Sequence, residues 1–169
     1  MKKTLFATLA LIAVATQTNA QATASASADA TIVTPISITK NVDMNFGNVA
    51  VSAINPGTVI LAPAGTRTTG GGGGVTLPAT TGTVTAADFT VTGNGNYTYA
   101  ITLPSSATLT RVGFTETMTA NTFTSTPSGT GTLSGGTQNL KVGATLNVAA
   151  AQVAGLYTCS SFNVTVNYN

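Results

Sequence analysis

The 169-residue chain carries six basic and four acidic residues, with no histidine and no tryptophan. This composition excludes a nucleic-acid partner, because such binding needs several clustered Lys or Arg side chains to neutralise phosphates. Nucleophilic catalysis usually needs a His base, and transition-metal sites need His and Cys clusters, so we predict no enzyme, no metal site and no other cofactor.

Residues 1–20 have the pattern of an export signal peptide. Lys2 and Lys3 precede the apolar stretch LFATLALIAVA, which is too short to span a bilayer, and a small-residue cleavage site follows. We expect cleavage after Ala20, with Ala22 as the second choice. The mature chain then has four charges of each sign and no transmembrane segment, and we expect it at the cell surface, in the extracellular medium or in the periplasm.

Residues 21–33 alternate small side chains with a period of two, as the two faces of a strand do. An extended strand and a disordered start both fit this pattern. We therefore separate residues 21–33, an N-terminal extension and candidate donor strand, from a domain at residues 34–169. One face of the extension carries Ala22, Ala24, Ala26, Ala28, Ala30 and Ile32.

From residue 31 onward Thr and Val dominate, Gly and Pro interrupt the alternation, and helix formers are scarce, which is typical of strands. The sequence predicts a break in the strand at Pro35, a bend at Gly47 and a kink at Gly143. Asn94-Gly95 is the strongest hairpin signal. Eight or nine short strands at this spacing predict an all-β antiparallel sandwich. The predicted strands lie at residues 31–39, 42–51, 57–63, 82–93, 96–104, 115–125, 138–148 and 155–168.

Three local features have plain structural interpretations. The glycine run at residues 70–74 is followed by VTLPATT, not by the Lys and helix of a phosphate-binding loop, so a flexible hairpin tip is expected. Residues 148–155 form at most one helical turn. Cys159 is the only cysteine, so no intramolecular disulfide forms, and the thiol is either buried and inert or available for an intermolecular bond.

Four blocks of the sequence, in order, resemble an exported bacterial family, domain of unknown function 4402 (DUF4402). They are ATIVTPISITKNVDMNFGNVAV, GTVTAADFTVTG, YAITLPSSATL and AGLYTCSSFNVTVNY, and they span nearly all of the mature chain. Phe46-Gly47 and the closing residues 155–168 more distantly resemble spore coat U-type and chaperone–usher pilin subunits. The single cysteine departs from coat-U-like pilins, which usually carry a disulfide.

The pilin resemblance implies an immunoglobulin-like, pilin-like β-sandwich that is incomplete until another subunit donates a strand. It implies copies of the same chain or related subunits as partners, together with a periplasmic chaperone and outer-membrane assembly machinery. It also implies that Tyr168 matches the penultimate tyrosine near which such a chaperone contacts the last strand.

Both ends of the mature chain have the alternation that strand addition to a sheet edge requires. We therefore expect a non-enzymatic structural subunit of a bacterial surface fibre or coat, fimbrial or adhesin-like. The alternative is a self-contained secreted or periplasmic binding module, for example for carbohydrate, with Tyr97 and Tyr99 as a platform unless they form a core or cross-strand pair. The candidate assembly residues are Ala24, Ala26, Ala28, Ala30, Ile32, Phe162, Val164, Val166 and Tyr168.

Overall fold

The computed structural model describes residues 21–169, which contain fifteen strands and no helix. All pairings between these strands are antiparallel, so the predicted all-β antiparallel class is confirmed. The strands are β1 Ser37–Val42, β2 Asn45–Phe46, β3 Ala50–Val51, β4 Gly57–Leu61, β5 Arg67–Gly70, β6 Val75–Thr76, β7 Val84–Thr85, β8 Ala87–Thr92, β9 Thr98–Thr102, β10 Ser106–Arg111, β11 Thr117–Thr126, β12 Thr130–Thr132, β13 Thr137–Val148, β14 Tyr157–Thr158 and β15 Thr165–Tyr168.

The chain divides into two units, and all fifteen strands belong to the unit Val33–Asn169. Residues 21–32, the described part of the other unit, form no strand and are exposed throughout. The predicted signal peptide at residues 1–20 lies outside the described residues. Between residues 21 and 169 there is no helix long and apolar enough to cross a membrane.

The larger layer is a sheet of eight of the described strands, in the order β1-β8-β13-β11-β10-β14, with β4 on β13 and β5 on β4. β13 pairs with β8 up to Val142 and with β4 from Ala144 onward. The change of partner falls at Gly143, where the sequence predicts a kink. A Cβ at that position would overlap the carbonyl oxygen of Leu61, so only glycine lets the two backbones approach.

The second layer consists of three smaller sheets among the described residues: β12-β9-β15, β2-β7 and β3-β6. Two hydrophobic clusters join these sheets to the large sheet. In one, Tyr99 of β9 packs with Val91 and Leu140. In the other, Phe46 of β2 packs with Leu146. The large sheet and the smaller sheets therefore contribute side chains to the same two apolar clusters.

Tyr99 lies in the core and is fully buried. Its hydroxyl donates a hydrogen bond of 2.8 Å to Gln138 Oε1, which satisfies the polar end of the ring. Burial raises the pKa of the Tyr99 phenol above its ordinary value of 10.0. Of the proposed tyrosine platform only Tyr97 is accessible, with 43% of its surface exposed, and its ring packs edge-to-face on Tyr168.

The hairpin predicted at Asn94-Gly95 is wrong, although the chain does turn there. The strand before the turn, β8, pairs with β1 and β13, whereas the strand after it, β9, pairs with β12 and β15. Both edges of β8 are already occupied, so no edge remains for β9. The turn instead carries the chain from one layer to the other.

Three further predictions of local structure are corrected. The first strand begins at Ser37, not at residue 31, because Pro35 lacks the N–H that a ladder needs. The strand predicted at residues 155–168 is two short strands, β14 and β15, with six unpaired residues between them. The glycine run at residues 70–74 is not a hairpin tip, since β5 before it pairs with β4 and β6 after it pairs with β3.

Candidate functional site

An open apolar groove of about 810 Å³ lies over the large sheet. One wall is formed by residues 42–51 and the other by residues 152–162. Lys40 and Asp43 at the rim form an ion pair of 2.6 Å, so the rim carries no net charge. The floor is made of apolar side chains from β8, β10, β11 and β13, namely Ala87, Phe89, Ala107, Leu109, Met118, Ala120, Phe123, Leu146 and Val148.

A β-bulge in β11 shapes the floor. The register with β13 shifts between Asn121 and Thr124, and Thr122 has a φ of 48°. The bulge turns Phe123 inward, where it packs against both hydrophobic clusters. Its ring centroid lies 5.2 Å from that of Phe162 in the wall. The groove is therefore lined by two packed aromatic rings, Phe123 in the floor and Phe162 in the wall.

Arg67 of β5 holds the wall formed by residues 42–51. Its guanidinium donates to the carbonyl oxygens of Phe46, of Asn48 at 2.7 Å and of Thr81 at 3.3 Å. The wall bends at Gly47, as the sequence predicts, with a φ of 69°. One side chain thus satisfies two backbone carbonyls of a segment that makes only short strand pairings.

Replacing Arg67 with Lys is expected to lower the free energy of unfolding by about 1–3 kcal/mol, because a single ammonium cannot reproduce the fork of hydrogen bonds to three carbonyls. Urea denaturation followed by circular dichroism measures the loss. Lys40→Met removes only an exposed ion pair and is the control, with an expected change below about 1 kcal/mol. Equal losses of unfolding free energy in the two variants would show that the Arg67 hydrogen bonds do not stabilise this wall.

The opposite wall, residues 152–162, is fixed at one end by side chains. Gln152 Nε2 donates to the Tyr157 hydroxyl at 2.8 Å, and that hydroxyl donates to the carbonyl oxygen of Val153 at 2.8 Å. Cys159 lines the groove and is half-buried, so it is not the fully buried thiol that was one of the two expectations. The wall thus presents a partly accessible thiol beside apolar surface.

The predicted apolar face of residues 162–168 packs into its own chain. Val166 is buried, and Phe162, Val164 and Tyr168 are half-buried against the cluster that contains Tyr99. The residues between them are exposed, so the predicted alternation is confirmed. Of this face, only Phe162 also lines the groove.

Tyr168 is held by two hydrogen bonds. The Asn94 N–H donates to its hydroxyl at 2.6 Å, and the hydroxyl donates to the carbonyl oxygen of Thr34 at 2.7 Å. Its ring meets that of Tyr97 at 5.6 Å between centroids. A Cβ on Gly93 would overlap the hydroxyl. The side chain is thereby committed to intramolecular contacts.

Tyr168→Phe is expected to lower the free energy of unfolding by about 1–3 kcal/mol, since it deletes both hydrogen bonds and keeps the ring. Thermal unfolding by calorimetry measures the change. Tyr97→Phe keeps the ring contact and removes the hydroxyl of an exposed residue, so it serves as the control. A Tyr168 variant as stable as the control would show that the two hydrogen bonds of the Tyr168 hydroxyl do not stabilise the fold.

The candidate assembly residues in the N-terminal extension, residues 21–33, are exposed to solvent. Ala24, Ala26, Ala28 and Ala30 are exposed, and Ile32 has 92% of its surface exposed. No group of acidic, His or Cys residues within residues 21–169 is arranged to hold a metal ion. The groove is therefore neutral and apolar.

The sequence profile of the family described as Domain of unknown function (DUF4402) matches residues 36–168. The chain belongs to this family. The matched region contains almost the whole of the strand-bearing unit, including both walls and the floor of the groove. No curated protein and no solved structure matches the chain.

The sequence alone did not indicate two residues that shape the groove. Arg67 lies in the polar stretch TRTTG, and nothing local shows that its side chain reaches carbonyls some twenty residues away. Phe123 lies in an alternating run, where strict period two would place it on the same face as Asn121. Only the bulge, which the partner strand reveals, turns it to the core.

Proposed function

We propose that this protein is an exported structural subunit of a bacterial surface fibre or coat, fimbrial or adhesin-like, and that it assembles by β-strand donation. Residues 21–33 of one copy occupy the apolar groove of the next. The observation that carries the proposal is the open groove of about 810 Å³ in the second layer of the domain. An apolar surface of this kind favours a partner that removes it from water.

The donor segment suits the groove in size and charge. Phe46, Phe89, Phe123 and Phe162 line the groove, so it presents apolar surface to a donor. A strand with an alanine face fits between them and adds main-chain hydrogen bonds, which supply the affinity in strand addition. Both the groove rim and the donor face carry no net charge, so no ion must be buried unpaired.

The broken second layer supports an immunoglobulin-like sandwich that lacks one strand. The sheet β12-β9-β15 lies over one core cluster, and the pairs β2-β7 and β3-β6 lie over the other. A donated strand in the groove would bridge them. Because the donor and the groove are different surfaces of the chain, the contact is head-to-tail and generates a fibre.

The test expresses the chain from Met1 in a bacterial host and purifies the exported protein. We expect filaments by electron microscopy, concentration-dependent growth by sedimentation, and residues 21–33 that resist protease only in the assembled form. The variant lacking residues 21–33 keeps the groove but cannot donate, so we expect it to cap growing filaments. A monomer at every concentration, with residues 21–33 trimmed and its stability unchanged, would overturn the proposal.

A further inference from the structure

Residues 159–164 connect β14 to β15 and line the groove with their first four members. The last three of them continue the alternation of β15: Phe162 and Val164 are half-buried, whereas Asn163 is exposed. Yet these residues belong to no strand. Residues 162–164 thus have the side-chain pattern of a strand, although no neighbouring strand pairs with them.

The backbone of residues 159–164 is unpaired in the described chain. Ladder pairing on one side stops at Thr158, opposite Thr110, and on the other begins at Thr165, opposite Thr102. Among the hydrogen bonds between residues 21 and 169, none reaches the N–H or C=O groups from Cys159 to Val164. Unpaired groups beside an apolar groove are the requirement for adding a strand.

In the opposite wall, formed by residues 42–51, fewer backbone N–H and C=O groups lack a partner. The carbonyls of Phe46 and Asn48 accept from Arg67, and the Asn48 N–H donates to Thr81 O at 2.7 Å. The Gly47 N–H donates to Asn45 Oδ1 at 2.8 Å. The short strands β2 and β3 in this wall pair with β7 and β6. This wall is therefore largely satisfied within the chain.

We propose that residues 159–164 are the acceptor edge for residues 21–33 of a second copy of this chain. This inference rests on the proposed function and specifies the backbone on which donation takes place. Pairing converts residues 159–164 into strand and joins β14 to β15 in one run from residue 157 to residue 168. The donor's alanine face turns to the groove floor, and its Thr and Ser side chains turn to solvent.

Cys159 provides a direct test, because it is the only cysteine of the chain. Donor copies carry Cys159→Ser and a single cysteine placed in turn at each position from 24 to 31. They are mixed with unaltered acceptor copies of a different mass, oxidised and separated on non-reducing gels. Paired strands bring Cα atoms within disulfide reach, so we expect one favoured donor position, with a yield about tenfold lower four residues away.

The matched control moves the acceptor thiol to the opposite wall. Acceptor copies carry Cys159→Ser with Ala50→Cys, a small exposed position that also lines the groove. Position-specific cross-links to Cys159 and not to residue 50 support the inference. Filaments that cross-link only through residue 50, or through neither position, overturn it and leave the proposed function standing. Monomers without cross-links overturn both.

Hydrogen exchange gives a second measurement that needs no substitution. Assembly is expected to slow amide exchange at residues 159–164 by about a hundredfold or more, as new main-chain hydrogen bonds form. The amides of residues 45–51 are expected to change much less. Unchanged exchange at residues 159–164 in assembled filaments would overturn the inference, whatever the cross-linking variants show.

Discussion

Filament formation is expected to be lost when Ala26 and Ala28 are both replaced by aspartate. On the proposed arrangement, these side chains face the apolar floor of the groove, where Phe89, Leu109 and Met118 offer a carboxylate no partner. Burying an unpaired charge costs several kcal/mol even after relaxation, and each 1.4 kcal/mol is about a tenfold change in affinity. We expect subunit affinity to fall by more than about a hundredfold, measured by sedimentation velocity across a concentration series.

The matched control places the same charges on the other face of the same segment. Ser25→Asp with Ser27→Asp adds two carboxylates to side chains that point to solvent in the proposed arrangement. Its net charge equals that of the Ala26/Ala28 variant, so both suffer the same general repulsion between subunits. Assembly of the control within about tenfold of the unaltered chain supports a strand with one buried face. Equal losses in both variants would contradict it.

Gly143→Val is expected to abolish folding at physiological temperature. The added side chain meets the backbone of Leu61, Ala62 and Pro63, which cannot move without separating β4 from β13. Overpacking against flexible side chains costs about 1–3 kcal/mol, and a collision with backbone in the longest strand costs more. Since domains are stable by only about 5–15 kcal/mol, we expect little soluble protein, measured by yield and by circular dichroism.

Gly95→Ala is the matched control for Gly143→Val. A Cβ at Gly95 comes no closer than 3.5 Å to Gly136 N and 3.8 Å to Gly135 C, which are ordinary contacts. Its backbone does not have the positive φ that disfavours alanine. We therefore expect a change in the unfolding free energy below about 0.5 kcal/mol. A Gly143 variant as stable as this control would show that β4 and β13 tolerate separation at that point.

The Gly143 variant also connects fold to function. Leu146 and Val148 follow Gly143 in β13 and form part of the groove floor, on a strand that pairs with both β4 and β11. Loss of the β4 pairing would therefore disturb the floor before any donor binds. The Ala26/Ala28 variant, by contrast, leaves the domain untouched. The two experiments thus separate a failure to form the groove from a failure to fill it.

Much of the architecture follows from local sequence pattern. The Thr- and Val-rich alternation predicted an all-β antiparallel chain, because branched side chains favour the pleated backbone. The bend at Gly47 and the alternation of residues 162–168 were likewise predicted from period and composition. The four quoted blocks were sufficient to place the chain in the DUF4402 family, which the matching profile confirms.

Strand partners and the groove were decided only by the tertiary structure. Asn94-Gly95 has the sequence of a hairpin turn, but β1 and β13 already occupy both edges of β8, so β9 pairs in the other layer. Likewise, β14 and β15 pair with different layers, which leaves residues 159–164 between them without a partner. Turn propensity and alternation are local properties, whereas the choice of neighbour depends on which edges distant parts of the chain leave free.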